Sequence, residues 1–175
     1  MANKVNYFEK GKELFKKEKY ALAKSAWEKA LIIEPTNIKI LNNLGAACRF
    51  LGEFKQAEVY LTKAIKIEGS FGMAYRNLGE LYLESGEYDK AQEALIMANA
   101  IFPDNEAVLC QLITSAKHNC DWLLTKSKET TLQVLMSESL ERGEFSGVTP
   151  YFVNTSTDNP KLKLLVAQNW AKEIK

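Results

Sequence analysis

The strongest constraint on this chain is a set of residues that recurs every 34 positions. Gly11, Gly45 and Gly79 stand at that spacing, and so do Tyr20, Phe54 and Tyr88. Ala23, Ala57 and Ala91 follow, then Ala30, Ala64 and Ala98. Trp27, Leu61 and Leu95 align as well, as do Tyr7, Leu41, Tyr75 and Leu109. Pro35 and Pro103 close the first and third stretches, and Gly69 fills the same slot in the second. A period of this length means one supersecondary unit stacked on copies of itself, each too small to bury its apolar face alone.

The spacing within a unit has a physical reading when the units are numbered from Lys4, Ile38 and Gly72. Apolar or small residues at positions 4, 7, 8 and 11 make one helical face, as Leu41, Leu44, Gly45 and Cys48 show. Position 8 is glycine in all three units, although glycine costs a helix about 1 kcal/mol against alanine. That implies a close approach by the second helix, with Ala23, Ala57 and Ala91 as the matching small surface. The large residue four positions on (Trp27, Leu61, Leu95) then fills the space between units. Gly52 and Gly86 fall at the turn between helices, where a positive φ is needed.

Helices are therefore expected at about 4–17, 20–33, 38–51, 54–67, 72–85 and 88–101. A fourth first helix opens at Glu106, with Leu109 and Leu112 in register, but Ile113 stands where glycine belongs and the pattern ends. The predicted fold is all-α: a helix–turn–helix solenoid over 4–117 (units 4–37, 38–71 and 72–105, with a partial 106–117), then capping or linker helices over 118–175. The 34-residue helix–turn–helix pattern resembles the tetratricopeptide (TPR) family.

In the last third, Asp121 is placed to cap a helix running to about Arg142. Trp122 is expected to pack over the end of the solenoid. Asn159–Pro160 opens a final helix carrying Leu162, Leu165, Val166, Trp170 and Ile174. TPR units followed by Cys120-Asp121-Trp122, Gly143, Pro150-Tyr151-Phe152, Pro160 and Trp170 resemble the SPINDLY-like O-linked N-acetylglucosaminyltransferase family. There the same stretch joins the solenoid to a glycosyltransferase domain. That resemblance implies two nucleotide-binding lobes, for which this chain has no residues. Every glycine is used by the repeat, its turns or the late loop, and none opens a phosphate-cradling strand–helix loop. Thr149 stands where animal members carry histidine.

The remaining chemistry is sparse. With 23 basic and 22 acidic residues the net charge is +1, which argues against nucleic acid or an anionic membrane surface as partner. No stretch is long and apolar enough to span a membrane, and the start has no secretory signal. Three cysteines are too few for a disulfide framework, so a cytoplasmic setting is expected. Cys110, His118 and Cys120 match no zinc spacing, and Cys120 lacks a neighbouring base. Asn154-Thr-Ser matches a glycosylation sequon by coincidence. No metal, cofactor or catalytic residue is expected.

The face opposite the core stripe offers a function. Positions 2, 5, 6, 9, 12 and 13 of the first helices bring out Phe8, Lys12, Phe15, Lys16, Lys39, Asn42, Asn43, Arg49, Phe50, Arg76, Asn77, Glu80 and Gln111. Asn43, Asn77 and Gln111 recur once per unit, and a carboxamide pairs with both the N–H and C=O of an extended peptide. The transferase resemblance implies an asparagine ladder at this place. Lys39, Arg49 and Arg76 flank the row and favour acidic ligands, a bias that Glu80 and Glu84 limit. The expected peptide-binding residues are Lys39, Asn42, Asn43, Arg49, Arg76, Asn77 and Gln111.

The carboxylate clamp of chaperone-adaptor TPRs would fall on Phe8, Lys12, Asn43, Met73 and Asn77, where only Asn43 matches in kind. The sequence thus reads as a non-catalytic interaction module for a protein or peptide. The alternative is the substrate-recognition and linker part of a transferase without its catalytic lobes.

Overall fold

The computed structural model describes residues 6–142, 148, 153 and 157–173. Gly143, Thr149, Pro150, Tyr151, Phe152, Asn154 and Ile174, singled out above, lie outside them. The helices are α1 (Tyr7–Lys16), α2 (Tyr20–Ile33), α3 (Ile38–Phe50), α4 (Phe54–Ile67), α5 (Gly72–Ser85), α6 (Tyr88–Ile101), α7 (Glu106–His118), α8 (Trp122–Glu141) and α9 (Pro160–Glu173). From α2 to α6 the bounds fall within one residue of those expected from the repeat.

Local chemistry sets several of these ends. Asn37 accepts hydrogen bonds from the Lys39 and Ile40 amides at 3.0 and 3.3 Å. Asn105 accepts from Val108 at 3.0 Å, and Asp121 accepts from Leu124 at 3.1 Å as expected. Asn159 accepts from Lys161 and Leu162 at 3.1 and 3.3 Å, with Pro160 opening α9 behind it. Each satisfies amides that the first helical turn leaves without an internal partner.

The turn between paired helices keeps its register through four units. Gly52 and Gly86 have φ of 73° and 77°, and the same offset places Glu18 at 57° and Cys120 at 55°. The backbone period thus runs past Ile113, where the side-chain pattern stops: α7 and α8 pack together about this turn, and Trp122 takes the place of Tyr20, Phe54 and Tyr88.

The chain divides into two compact units, Met1–Glu87 and Tyr88–Lys175. In the first, each helix from α1 to α5 packs on the next, and α3 also packs on α5. Ala23, Trp27, Ala30, Ile40, Leu44 and Ala47 form one buried cluster. A side chain at Gly11 would overlap the indole of Trp27, and one at Gly45 would overlap Leu61. The glycine therefore makes room for the large residue of its own unit, and not for the alanine as the sequence suggested. Ala23 lies instead in the cluster with Ile40 and Leu44 of the next unit.

In the second unit, α6 packs on α7, α7 on α8 and α8 on α9. Its core joins Leu109 and Ile113 to Leu132, Met136, Val148, Val153, Leu162 and Val166. Trp170 packs against this core and donates from Nε1 to the Val148 carbonyl at 2.8 Å. Trp122 does not cover it: that ring is 63% exposed, and Leu165 is exposed as well. The cover comes from the later turns of α8 and from α9. Among the described residues, no helix is long and apolar enough to cross a membrane.

Candidate functional site

The first unit sets the face of α3 beside that of α5, and six of the seven expected residues lie there. Lys39 is exposed, and Asn43, two turns from the end of α3, is half-buried. Neither side chain makes a hydrogen bond or ion pair among the described residues. Asn42 and Asn77 behave differently. They are only 7% and 5% exposed, and Asn77 Nδ2 donates to Asn42 Oδ1 at 2.8 Å. Where α3 packs on α5, position 5 of one helix meets position 6 of the other, so these amides satisfy each other. The expected row of open carboxamides therefore loses Asn77. Gln111 is half-buried on α7 in the second unit.

Charge on this face is largely compensated from within. Arg49 pairs with Glu80 at 2.8 Å and also with Glu84, and Arg76 lies 3.4 Å from Glu80. The Arg49 guanidinium sits 4.5 Å from the centre of the Phe50 ring, and that ring stacks on Tyr20 at 4.6 Å with Phe15 edge-on at 5.4 Å. Nearer the start, Lys12 pairs with Glu9 at 3.0 Å and lies over Phe8. Phe8 itself is tied down, its carbonyl accepting from Trp27 Nε1 at 3.1 Å.

Polar residues on the second helices form a contact that the 34-residue spacing does not announce. Position 21 carries Lys24 and Gln92, and position 16 of the next unit carries Glu53 and Asp121. Lys24 donates to Glu53 and, at 3.0 Å, to Gln56. The hydrogen bond between them holds the Lys24 ammonium above its ordinary pKa and the Glu53 carboxyl below its own. Gln92 donates to Asp121 at 3.0 Å and accepts from Asn119 at 2.6 Å. Lys128 donates to Asn99 at 2.7 Å, and Lys117 pairs with Glu129 at 2.8 Å. The sequence signal was a polar residue next to the invariant alanine of position 20, on a helix face that must be buried.

Nothing among the described residues suggests bond-making chemistry. No cluster of histidine, cysteine and carboxylate suited to a metal ion is present there. Burial pushes the thiols of Cys48 and Cys110 up to about 12, so both are held as inert thiols. His118 stacks on Tyr88 with ring centres 3.8 Å apart.

A tetratricopeptide-repeat family model matches residues 51–112. The chain is 31% identical over 101 residues to Hsp70-Hsp90 organizing protein 1 of Glycine max, covering 58% of this chain and 18% of that protein. It spans no more than 28% of any curated relative it matches. Among solved structures, the Arabidopsis OM64 TPR domain is similar at 26% identity and a TM-score of 0.62, covering 64% of this chain and 93% of that one. The first TPR of Spaghetti (RPAP3), bound to the HSP90 peptide SRMEEVD, shares the fold at 23% identity and a TM-score of 0.63, covering 65% and 90%. With the helix pairing, the repeating turn and these likenesses together, the chain has the all-α helix–turn–helix fold of tetratricopeptide-repeat solenoids.

Proposed function

We propose that this chain is a non-catalytic interaction module that holds an extended peptide against the first-helix face of its solenoid. The observation that carries this reading is Asn43: a half-buried carboxamide on α3 with neither its donor nor its acceptor engaged within the described residues. A buried-side amide left open in this way suits a ligand backbone, which offers the complementary N–H and C=O. Lys39, one turn earlier, adds an exposed ammonium at the rim. Arg49 and Arg76 border the same face, while Asn42 and Asn77 hold α3 and α5 in place beneath it. A relative named for organizing Hsp70 and Hsp90, and a shared fold with a peptide-bound domain, support protein ligands as the class. Cytoplasmic action fits the sparse, unpaired cysteines.

The test is a pull-down with the full chain as bait, comparing wild type with Asn43→Ala. Losing one hydrogen bond to the ligand typically costs about 0.5–1.5 kcal/mol, a two- to tenfold loss of affinity. Retention of full affinity for every captured partner, with the fold intact, would refute the reading.

A second reading keeps the transferase resemblance, with residues 4–117 as a recognition solenoid and 118–175 as the linker to a catalytic domain. The observation favouring it is that Asp121 caps α8 and Asn159 caps α9 at the motif positions. Coding sequence beyond Lys175 decides it: glycine-rich strand–helix units there would support this reading, and a stop codon would defeat it.

A further inference from the structure

We propose that Arg49 is the receptor for an oxyanion carried by the ligand, and that Glu84 occupies that receptor until the ligand arrives. This rests on the peptide-binding reading of the first-helix face and names the side-chain chemistry that the face selects.

Three observations converge on Arg49. Its side chain is only 11% exposed, yet it lies two turns beyond Asn42 on the same side of α3, outside the buried apolar cluster. Its two terminal nitrogens are taken by Glu80 and Glu84. Its Nε is buried and makes no hydrogen bond, and the same holds for Nε of Arg76, which approaches Glu80 without bonding alignment. Two arginines with planar, forked donor sets therefore share this place, and the Arg49 nitrogen held by Glu84 is the donor that a ligand carboxylate or phosphate oxygen can take over.

The two carboxylates that now serve Arg49 are not equivalent. Glu80 contacts both Arg49 and Arg76 and is 17% exposed, so it is a fixed part of the site. Glu84 pairs with Arg49 and with no other cation among the described residues, and it is 44% exposed. It also sits in the last turn of α5, two residues before the C-cap Gly86, where the helix dipole disfavours negative charge. Releasing Glu84 into water relieves that repulsion and restores its hydration. A ligand carboxylate taking its place leaves the charge balance at Arg49 unchanged, and a phosphate, at about −1.5 to −2, more than replaces it. An uncharged ligand side chain has no such exchange to offer, so Glu84 stays and the face discriminates. This site is distinct from the five clamp positions, of which Asn77 is buried and Met73 uncharged.

The experiment uses the full chain, ¹⁵N-labelled, titrated with three blocked peptides Ac-GSAXFAXAG-NH2 in which X is glutamate, phosphoserine or glutamine. The glutamate or phosphoserine peptide is expected to bind at least fivefold more tightly than the glutamine peptide, with shifts at Asn43 and at the Arg49 Nε–H. Comparing the two charged arms shows which oxyanion is preferred. Glu84→Gln should tighten the charged peptides several-fold and leave the glutamine peptide unchanged. Arg49→Lys, which keeps the charge but loses the fork, should erase the discrimination. Equal binding of all three peptides with shifts at Asn43 would overturn the oxyanion receptor while leaving the peptide site standing. No binding of any peptide, or shifts confined to other surfaces, would overturn both. A Glu84→Gln variant with unaltered affinity for the charged peptides would overturn the placeholder role.

Discussion

Asn77 donates its amide hydrogen to the carboxamide oxygen of Asn42 at 2.8 Å, and both residues are buried between α3 and α5. The pair is thus part of the scaffold, and its loss should be read in stability before it is read in binding. Asn77→Ala leaves the Asn42 oxygen in a dry contact without its donor, which costs about 1–3 kcal/mol. Asn43→Ala, one residue along but half-exposed, should change stability by no more than about 0.5 kcal/mol. Urea denaturation of the two variants measures both, and a silent Asn77→Ala would remove the scaffold role.

The glycines of position 8 make a prediction with an unusual sign. In an ordinary helix interior, glycine to alanine stabilises by up to about 1 kcal/mol. At Gly45 the added Cβ would overlap the Leu61 side chain, and overpacking of this kind costs about 1–3 kcal/mol. Gly45→Ala should therefore destabilise the protein. Leu61→Ala should destabilise it through a cavity, and the double variant should be more stable than the two losses added together predict. Strict additivity in thermal melts would show that the two side chains do not compete for the same space.

How far the sequence carries the structure depends on whether the signal is periodic. The α2 to α6 bounds follow from the 34-residue spacing because core glycine, alanine and leucine report on it in every unit. The fourth pair was harder to see. Its turn is made by Cys120 in a left-handed conformation rather than by glycine, and Thr125 and Leu132 stand where alanine recurs. Backbone register survived while the residue types that announced it did not. The site was legible as a face but not as a set of pairings. Helical spacing puts Asn42, Asn77, Arg49 and Glu84 on one side, yet it says nothing of the α3–α5 packing that turns four polar side chains toward one another.

The likeness to an Hsp70-Hsp90 organizing protein invites a test with the HSP90 peptide SRMEEVD. Clamp-type recognition needs cations for the terminal carboxylate. Here Met73 brings no charge, Asn77 is engaged with Asn42, and Lys12 is paired with Glu9. Calorimetry should give no low-micromolar binding. Any weak contact through the glutamates at Arg49 should be unchanged when the peptide's C-terminus is amidated. A low-micromolar affinity that amidation abolishes would establish a clamp.

The Lys24–Glu53 contact should leave a mark on the pH dependence of stability. Glu53 is held below its ordinary value, so its contribution is complete above about pH 4–5 and fades as pH falls through the lowered value. Lys24 is held above its ordinary value, so its contribution is complete below about pH 10 and fades as pH rises through the raised one. Between those limits the pair stabilises the fold, and because Glu53 is well exposed, solvent screening keeps this to about 1 kcal/mol or less. Glu53→Gln should lower the melting temperature by a few degrees near neutral pH and by much less near pH 2, where wild-type Glu53 is itself protonated. An equal loss at both would assign the effect to something other than the ion pair.

Asp121 carries two tasks in the second unit, and they can be separated. One carboxylate oxygen accepts from the Leu124 amide at the start of α8, and the other accepts from Gln92 on α6 at 3.0 Å. Gln92 in turn accepts from Asn119 at 2.6 Å, so its side chain spans the turn between α7 and α8. In this unit Ile113 replaces the glycine of position 8, and the polar contact holds α6 to the turn beside it. Asp121→Ala removes cap and contact together and should cost about 1–3 kcal/mol, since a lost cap alone accounts for about 1. Gln92→Ala removes the contact alone and should cost less. The two should couple by about 0.5–1.5 kcal/mol in a double-mutant cycle, the range of one hydrogen bond. Hydrogen exchange would locate the effect: Asp121→Ala should speed exchange in the first turn of α8, whereas Gln92→Ala should leave that turn protected. If both variants expose the same amides to the same degree, the cap and the α6 contact are one interaction and not two.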